Sequence, residues 1–284
     1  MVVIAIGLAV WWAYASLGGG ENGNATGVRP VARLAAPDVH SLLVDPSDPD
    51  HILFGAHSGI QESHDGGFSW KAGTLRNADA MSMAVSPLDP ATLYVAGHNL
   101  FLVSRDGGRI WQPVQHDLPG TDLHAFAQDP TDPRHLYALV VGAGIMTSLD
   151  GGATWSSLPS QPPGIGGQAA LVTDGAALYA ATAGGIMVSR DQGTTWASLP
   201  AQPAGSVVSL AIAASNPTTI FAGTQDGLSR STDDGARWTT VGPQHTPVLA
   251  LAVAPSNANR VVVVSENGAV YRSDDGGASW VEPR

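Results

Sequence analysis

The sequence predicts an all-β fold, a six-bladed β-propeller with four-stranded blades, preceded by an N-terminal transmembrane helix. The phrase Ser-x-Asp-x-Gly-x-x-Trp occurs six times, and its successive Ser residues stand 41, 44, 41, 42 and 42 positions apart. Between these phrases lie short apolar segments separated by turns rich in Gly, Pro and Asp. A steady period of this length filled by strands is typical of a propeller blade. An uncharged apolar segment at the start of the chain predicts the helix.

The first element is this apolar segment, residues 1–17, which we interpret as a membrane anchor. As a helix it would extend roughly 24 Å at about 1.5 Å per residue, slightly less than a bilayer core of about 30 Å. Aromatic side chains near its end would suit the membrane interface: Trp11, Trp12 and Tyr14. The sequence Ala13-Tyr14-Ala15 also fits a signal-peptide cleavage site, which is the alternative, although a basic region before it is missing. Either reading predicts a propeller on the extracytoplasmic side, periplasmic or extracellular.

A tether and the propeller follow the anchor. Residues 18–30 begin with GGGENGNATG, and such a Gly-rich segment predicts a flexible tether. We assign residues 31–284 to the propeller. Residues 28–36 precede the first repeat, and we expect them to pair with the last blade as a closing strand that protects its open edge.

Each repeat is predicted to contain four strands in one order. In the second repeat a first strand (MSMAVSP), a turn (SPLDPAT), a second strand (TLYVAGH) and a third strand (LFLVS) precede the repeated phrase. A short fourth strand follows it. Six units of this kind fill the chain from about residue 33 to residue 284.

The repeated phrase is predicted to form the hairpin between the third and fourth strands. Its Asp carboxylate can accept hydrogen bonds from backbone N–H groups of the turn, and its Gly can adopt positive φ. Its Trp offers a large apolar face to the neighbouring blade. One Asp per turn supplies too few oxygen ligands for Ca²⁺. We therefore assign a structural role to these residues: Asp65, Asp106, Asp150, Asp191, Asp233, Asp275, Trp70, Trp111, Trp155, Trp196, Trp238 and Trp280.

The phrase resembles the Asp-box, or BNR repeat, of sialidases, sortilin-type receptors and photosystem II stability/assembly factors. The resemblance covers nearly the whole chain after the anchor. The segments VHSLLVDP, AHSGI and DLHAF also resemble bacterial propellers labelled glycosylhydrolase-like. These resemblances imply either a carbohydrate-active protein or a non-catalytic assembly factor.

Composition excludes several classes of function. The net charge is −11 and Lys71 is the single Lys, so the chain lacks the basic clusters that nucleic acids require. It likewise lacks the basic patch that resemblance to the photosystem II factors implies. There is no Cys, which excludes disulfides and thiolate metal sites.

The residues of a sialidase site are not found. Such a site uses a Tyr nucleophile with acidic partners, and the resemblance implies three Arg as well. The candidate Arg residues are predicted on the face away from the channel mouth: Arg105, Arg109, Arg134, Arg190, Arg237 and Arg260. Three Tyr residues at one repeat position are interpreted as core: Tyr94, Tyr137 and Tyr179. A two-carboxylate glycosidase stays an alternative, because several acids could rim the channel mouth: Asp38, Asp79, Asp122, Asp226 and Glu266.

Four histidines depart from the repetition. His40 and His124 each stand five residues before an Asp-Pro, at the start of an innermost strand. His57 and His98 each end a second strand. We expect all four at the same side of the channel mouth, either binding a metal ion or a ligand, or lining the channel with hydrogen-bonded rings. No cofactor is expected apart from that ion.

The combined prediction is a membrane-anchored, non-catalytic propeller. It would serve as a protein-interaction scaffold, accessory subunit or assembly factor of a membrane protein complex, photosynthetic or respiratory, with the bilayer as a second partner through residues 1–17. The alternative is a glycoside hydrolase-like or metal-dependent carbohydrate-active protein with its site at the channel mouth.

Overall fold

The fold was determined as a computed structural model that describes residues 28–35, 38–86, 88–166 and 169–284. Within these residues 24 strands form six antiparallel sheets of four strands each. The predicted six-bladed, all-β propeller is therefore confirmed. The predicted anchor, residues 1–17, lies outside the described residues, as does most of the tether. In the described ranges no helix is long and apolar enough to cross a bilayer.

Blades 1 to 3 follow one another along the chain and have the same strand order. Their strands are β2 (Ser41–Val44), β3 (Ile52–Ala56), β4 (Gly59–Ser63) and β5 (Lys71–Arg76); β6 (Ser82–Val85), β7 (Leu93–Gly97), β8 (Leu100–Ser104) and β9 (Gln112–Pro113); and β10 (Leu123–Gln128), β11 (Leu136–Val140), β12 (Gly144–Ser148) and β13 (Ser156–Ser157).

Blades 4 to 6 repeat this order, except that the last blade takes its outermost strand from the start of the chain. Their strands are β14 (Leu171–Thr173), β15 (Leu178–Thr182), β16 (Gly185–Ser189) and β17 (Ala197–Ser198); β18 (Val207–Ile212), β19 (Ile220–Thr224), β20 (Gly227–Ser231) and β21 (Thr239–Gln244); and β22 (Val248–Ala254), β23 (Asn257–Ser265), β24 (Ala269–Ser273) and β1 (Ala32–Arg33).

The closing strand predicted from residues 28–36 is present. β1 pairs antiparallel with β24, with Ala32 opposite Val270 and Arg33 opposite Ala269. The neighbouring Leu34 N–H donates to the Gly268 carbonyl at 2.8 Å. Because β1 covers the backbone edge of β24, the ring closes without leaving that strand unpaired.

Two arginines of blade 6 also contact blade 1. The Arg260 Nη1 atom donates to the Pro49 carbonyl at 3.0 Å and to Asp50 Oδ1 at 2.8 Å. The Arg272 Nη1 atom reaches the Gly66 carbonyl at 3.3 Å. Both arginine side chains are nearly buried, so the seam between the last and first blades has polar contacts as well as packing.

The repeated phrase forms a hairpin stabilised by side-chain contacts to its own backbone. In the third blade Ser148 Oγ donates to Asp150 Oδ1 at 2.8 Å and accepts from the Gly152 N–H at 2.9 Å. Asp150 Oδ1 accepts from the Thr154 N–H at 2.9 Å, and Oδ2 accepts from the Thr154 hydroxyl at 2.6 Å. These donors lower the pKa of Asp150 to about 2, with the Thr154 hydroxyl contributing most.

The Trp residues of these hairpins connect neighbouring blades. Trp155 is 9% exposed and packs against Phe101 of blade 2, with ring centroids 6.0 Å apart. Trp238 and Trp280 are half-buried and donate from Nε1 to carbonyls of the preceding blade or its connection, Ala201 and Val241. The indoles therefore fill the space between blades near the face that carries the third-to-fourth strand hairpins, called here the hairpin face.

The six innermost strands surround a central channel with a cavity of about 330 Å³. These strands are β2, β6, β10, β14, β18 and β22, and side chains from all six line the channel. The turns between second and third strands lie at the end opposite the hairpins, called here the mouth face. On the mouth face the channel opens beside the starts of the innermost strands and the ends of the second strands. These are the positions at which the four histidines interrupt the sequence repeat.

Candidate metal centre at the channel mouth

Strand ends of the first three blades bring the four predicted histidines to one place. His40 precedes β2, His57 follows β3, His98 follows β7, and His124 lies in β10. All four positions are at the mouth face, because first strands begin there and second strands end there. The structure thus places all four histidines on one side of the ring, in two adjacent pairs.

Asp79 joins the histidines from the connection between β5 and β6. Its approach depends on Gly97, since a Cβ atom at that residue would lie 1.8 Å from the Asp79 carbonyl oxygen. Asp122 arrives from the other side through an isolated antiparallel bridge with His98. Both residues thus approach the backbone at the end of β7, at Gly97 and His98.

The first set of potential ligands consists of His40, His57 and Asp79. His40 Nε2 lies 2.9 Å from His57 Nδ1 and 3.3 Å from Asp79 Oδ1. His57 Nε2 lies 3.4 Å from Asp79 Oδ2. Asp38 lies beside this set, with its Oδ2 atom 3.1 Å from His57 Nδ1.

The second set consists of His98, Asp122 and His124. The two Nε2 atoms lie 3.2 Å apart. Asp122 Oδ1 lies 3.3 Å from His98 Nε2 and 3.1 Å from His124 Nε2. Three potential ligand atoms therefore form a nearly equilateral triangle.

One contact joins the two sets. His98 Nδ1 lies 2.6 Å from Asp79 Oδ2, while Nε2 of the same ring faces the second set. The two nitrogens of one imidazole thus face different carboxylates.

The carboxylates of the cluster are surrounded by nitrogens but poorly hydrogen bonded. Both oxygens of Asp79 and Oδ1 of Asp122 are buried and have no partner in hydrogen-bond geometry, although imidazole nitrogens approach to 2.6–3.4 Å. A buried carboxylate oxygen without such a partner is costly. The arrangement suits a cation at the point where these atoms converge.

Burial favours the neutral form of His40. Desolvation lowers the pKa of His40, and His57 adds to this effect, while the Asp79 carboxylate opposes it. A neutral imidazole is the form that binds a metal ion. The cluster is open on one side, because the His57, His98 and Asp122 side chains are 49%, 43% and 46% exposed.

The other predicted residues are distributed around the ring. Of the five acids considered for a glycosidase, Asp38, Asp79 and Asp122 join the histidines, whereas Asp226 and Glu266 belong to blades 5 and 6. The three core Tyr residues are buried, as interpreted: Tyr94, Tyr137 and Tyr179.

A further group of potential metal ligands was missed from the sequence. His51, Glu62 and His64 meet on the hairpin face of blade 1. The two rings are stacked with centroids 4.5 Å apart, and His51 Nδ1 lies 3.1 Å from Asp45 Oδ2. The pairing of Ile52 with Ser63 brings the group together. The signal in the sequence is that His51 directly precedes β3 and His64 directly follows β4, which are neighbouring strands.

Comparison with known proteins shows similarity at the level of the propeller fold. Residues 143–259, from blade 3 into blade 6, match the model of the DUF6242 beta propeller domain. No curated protein matches the chain. The GH74 xyloglucanase from Xanthomonas campestris is 19% identical with a TM-score of 0.59, and the alignment covers 88% of this chain and 54% of the enzyme. The chain thus spans about half the length of that enzyme.

Two propellers of similar size complete the comparison. YCF48 from Cyanidioschyzon merolae is 18% identical with a TM-score of 0.55, and the alignment covers 89% of this chain and 87% of YCF48. A YCF48 structure bound to D1 peptide is 16% identical with a TM-score of 0.54, covering 85% of this chain and 95% of that one. At these identities the comparisons show a shared fold, a β-propeller, and leave the activity to the residues of the site.

Proposed function

We propose that the protein binds a divalent transition-metal ion at the channel mouth. One observation carries this proposal. Buried oxygens of Asp79 and Asp122 face the ring nitrogens of His40, His57, His98 and His124 without hydrogen-bond geometry.

The donor set favours particular ions. Imidazole with carboxylate is a common ligand combination for Zn²⁺ and for other first-row transition metals, whereas Ca²⁺ and Mg²⁺ prefer oxygen alone. An ion would neutralise the buried Asp79 carboxylate and the buried Oδ1 atom of Asp122. The ring nitrogens of each histidine pair, 2.9 and 3.2 Å apart, are hydrogen bonded to each other, and a bound ion would replace these bonds with coordination.

The proposal is tested by titrating the EDTA-dialysed full chain with Zn²⁺ in a calorimeter. We expect stoichiometric binding that weakens at acidic pH, because protons compete with the metal ion for the imidazole nitrogens. Asp79→Asn should reduce the affinity at least about tenfold, while His245→Ala, a histidine of blade 5 on the same face, should leave it unchanged. Circular dichroism establishes that each variant is folded. If wild type and Asp79→Asn bind Zn²⁺ equally, the proposal is wrong.

A second candidate concerns the biological role, and the comparison with YCF48 favours it. We propose that the protein is a membrane-anchored, non-catalytic scaffold or assembly factor for a membrane protein complex, with the propeller on the extracytoplasmic side. The alignments with the two YCF48 structures cover 85–89% of this chain and 87–95% of those chains, and one of those structures has a bound peptide. This similarity supports a propeller that acts by binding protein. The apolar segment 1–17 supports the anchor.

Isolation from native membranes in mild detergent tests this role. We expect one membrane protein complex to co-purify, an N-terminus at Met1, and retention in the membrane after a carbonate wash. A chain beginning at Ser16 and released by carbonate would contradict the anchor. Hydrolysis of a polysaccharide by the metal-loaded protein would favour the carbohydrate-active alternative, which likeness to the xyloglucanase supports.

A further inference from the structure

We propose that the channel mouth holds two divalent ions, one in each set of two histidines and one aspartate, coupled through Asp79 and His98. This inference rests on the metal binding proposed above. It adds the number of ions, their separate ligands and the kind of molecule the loaded centre would bind.

Distances within the second set match the edges of a coordination polyhedron. Two ligands each about 2.0–2.1 Å from Zn²⁺ lie about 3.3 Å apart when the geometry is tetrahedral. The three separations among His98, Asp122 and His124 are 3.1–3.3 Å. One N–H···N hydrogen bond between His98 and His124 accounts for their separation, but it leaves Asp122 Oδ1 without a partner, which an ion would supply.

The first set is complete by itself. His40 Nε2 lies within 3.3 Å of both a nitrogen of His57 and Oδ1 of Asp79. Asp38 Oδ2 lies 3.1 Å from His57 Nδ1, the nitrogen that also faces His40, where it can provide a further oxygen to the ion. Each set therefore offers three ligands without borrowing from the other.

The two ring nitrogens of His98 face different sets, so this residue lies between the two ions and connects their ligands. Its Nε2 atom belongs to the second set, and its Nδ1 atom lies 2.6 Å from Asp79 Oδ2. An imidazole that ligates through Nε2 ordinarily donates its Nδ1–H to a carboxylate or carbonyl, which fixes its orientation. Asp79 Oδ2 is the acceptor nearest to that N–H, and a hydrogen bond would form there once metal binding orients the ring, while Oδ1 faces the first ion. His98 is thus a ligand of the second ion and a positioning residue for the first.

The loaded centre would bind an oxyanion. Two divalent ions exceed the charge of the two carboxylates that ligate them, so the site becomes positive within a chain whose net charge is −11. Three protein ligands leave coordination positions open, and the exposed faces of His57, His98 and Asp122 direct these positions to solvent. A phosphate or carboxylate oxygen is the ligand class that such positions accept.

Counting bound ions in matched variants tests the two sites. All proteins would carry His51→Ala and His64→Ala, which remove the ligands on the hairpin face. After EDTA dialysis, reloading with Zn²⁺ and gel filtration, mass spectrometry of the metal should give two equivalents for the parent. An Asp122→Asn/His124→Ala variant should retain one, and so should a His40→Ala/His57→Ala variant.

His98→Ala distinguishes coupled from independent sites. We expect it to lose one equivalent and to bind the remaining ion about 10–100-fold more weakly, as for the loss of an orienting partner. An unchanged affinity for the remaining ion would overturn the coupling. If the parent binds one equivalent of Zn²⁺ and either double variant binds none, the two-ion proposal is wrong and the proposal of metal binding stands. No metal in any protein would overturn both.

The oxyanion is tested with Co²⁺, whose visible spectrum reports its coordination. Inorganic phosphate should change the spectrum of the two-equivalent Co²⁺ protein and should not change that of Co²⁺ in buffer at the same pH. An unchanged protein spectrum would overturn the oxyanion part of the inference. Acetate in a parallel titration would establish whether a carboxylate competes for the same positions.

Discussion

Truncation of the most buried hairpin indole, Trp155→Ala, should lower the stability of the whole ring. Trp155 is 9% exposed, contacts Phe101 across the blade interface, and donates from Nε1 to the Gly152 carbonyl at 2.8 Å. A buried Trp removes about 150–250 Å² from water, which at about 25 cal/mol per Å² corresponds to about 4–6 kcal/mol as an upper value. Partial relaxation around the cavity brings the expected loss in unfolding free energy to about 3–5 kcal/mol.

The measurement is thermal and urea unfolding followed by circular dichroism. For a domain of this size about 1 kcal/mol corresponds to about 2–4 °C, so the melting temperature should fall by about 6–20 °C. Trp111→Ala is the matched control, since Trp111 is only half-buried and bonds to the Thr74 hydroxyl, and its effect should be smaller. Zn²⁺ binding by the folded fraction should not change, because the indole lies on the hairpin face. A melting temperature equal to that of wild type would refute the assignment of Trp155 to the interblade core.

The remaining predictions concern ring closure and acid stability. Arg260→Gln should lower the free energy of unfolding in urea by about 1–3 kcal/mol, because its carbonyl and carboxylate partners at the seam between blades 6 and 1 lose a donor. Arg134→Gln, at an exposed side chain, should leave the free energy of unfolding almost unchanged. Equal urea midpoints for the two variants would contradict the role of the seam. Deletion of residues 1–35 should lower the melting temperature and cause concentration-dependent light scattering, because the edge of the last blade becomes exposed, while deletion of residues 1–27 should do neither. Asp150 has a folded-state pKa of about 2, below its unfolded value of about 3.9, so its contribution is present above about pH 4 and is lost as the pH falls toward 2. Asp150→Asn should therefore be less stable than wild type at neutral pH and approach it near pH 2, and parallel pH profiles would contradict this linkage.

The blade architecture could be predicted because the constraints repeat. Every blade needs the same hairpin, so the same Ser, Asp, Gly and Trp recur at one spacing. The strand boundaries of any one repeat can therefore be checked against the other five. The closing strand was also predictable, since residues 28–36 precede the first unit and belong to none of the six. The anchor stays a prediction, because residues 1–17 lie outside the described part of the chain.

The cluster at the mouth could be predicted only in part. His40, His57, His98 and His124 could be expected on one side of the mouth because strand ends have fixed positions in a propeller, and their binding of a metal ion stays a prediction. Asp79 was expected at the mouth as one of five acids, but its position between the two histidine pairs could not be assigned, since it lies in a connection between blades and depends on the absence of a side chain at Gly97. Which ring nitrogen faces which carboxylate depends on side-chain rotamers, and the sequence pattern carries no information about those.

The closing strand also determines how the ring can be presented to its surroundings. β24 runs from the mouth face toward the hairpin face, and β1 is antiparallel to it, so the chain joins the ring on the hairpin face, where Val28 packs in one cluster with Trp280. If the segment between residue 17 and β1 took the shortest path, a bilayer that held residues 1–17 would lie next to the hairpin face. The histidines and aspartates would point into the aqueous compartment, and an approaching ion or partner would reach them without entering the gap between propeller and lipid.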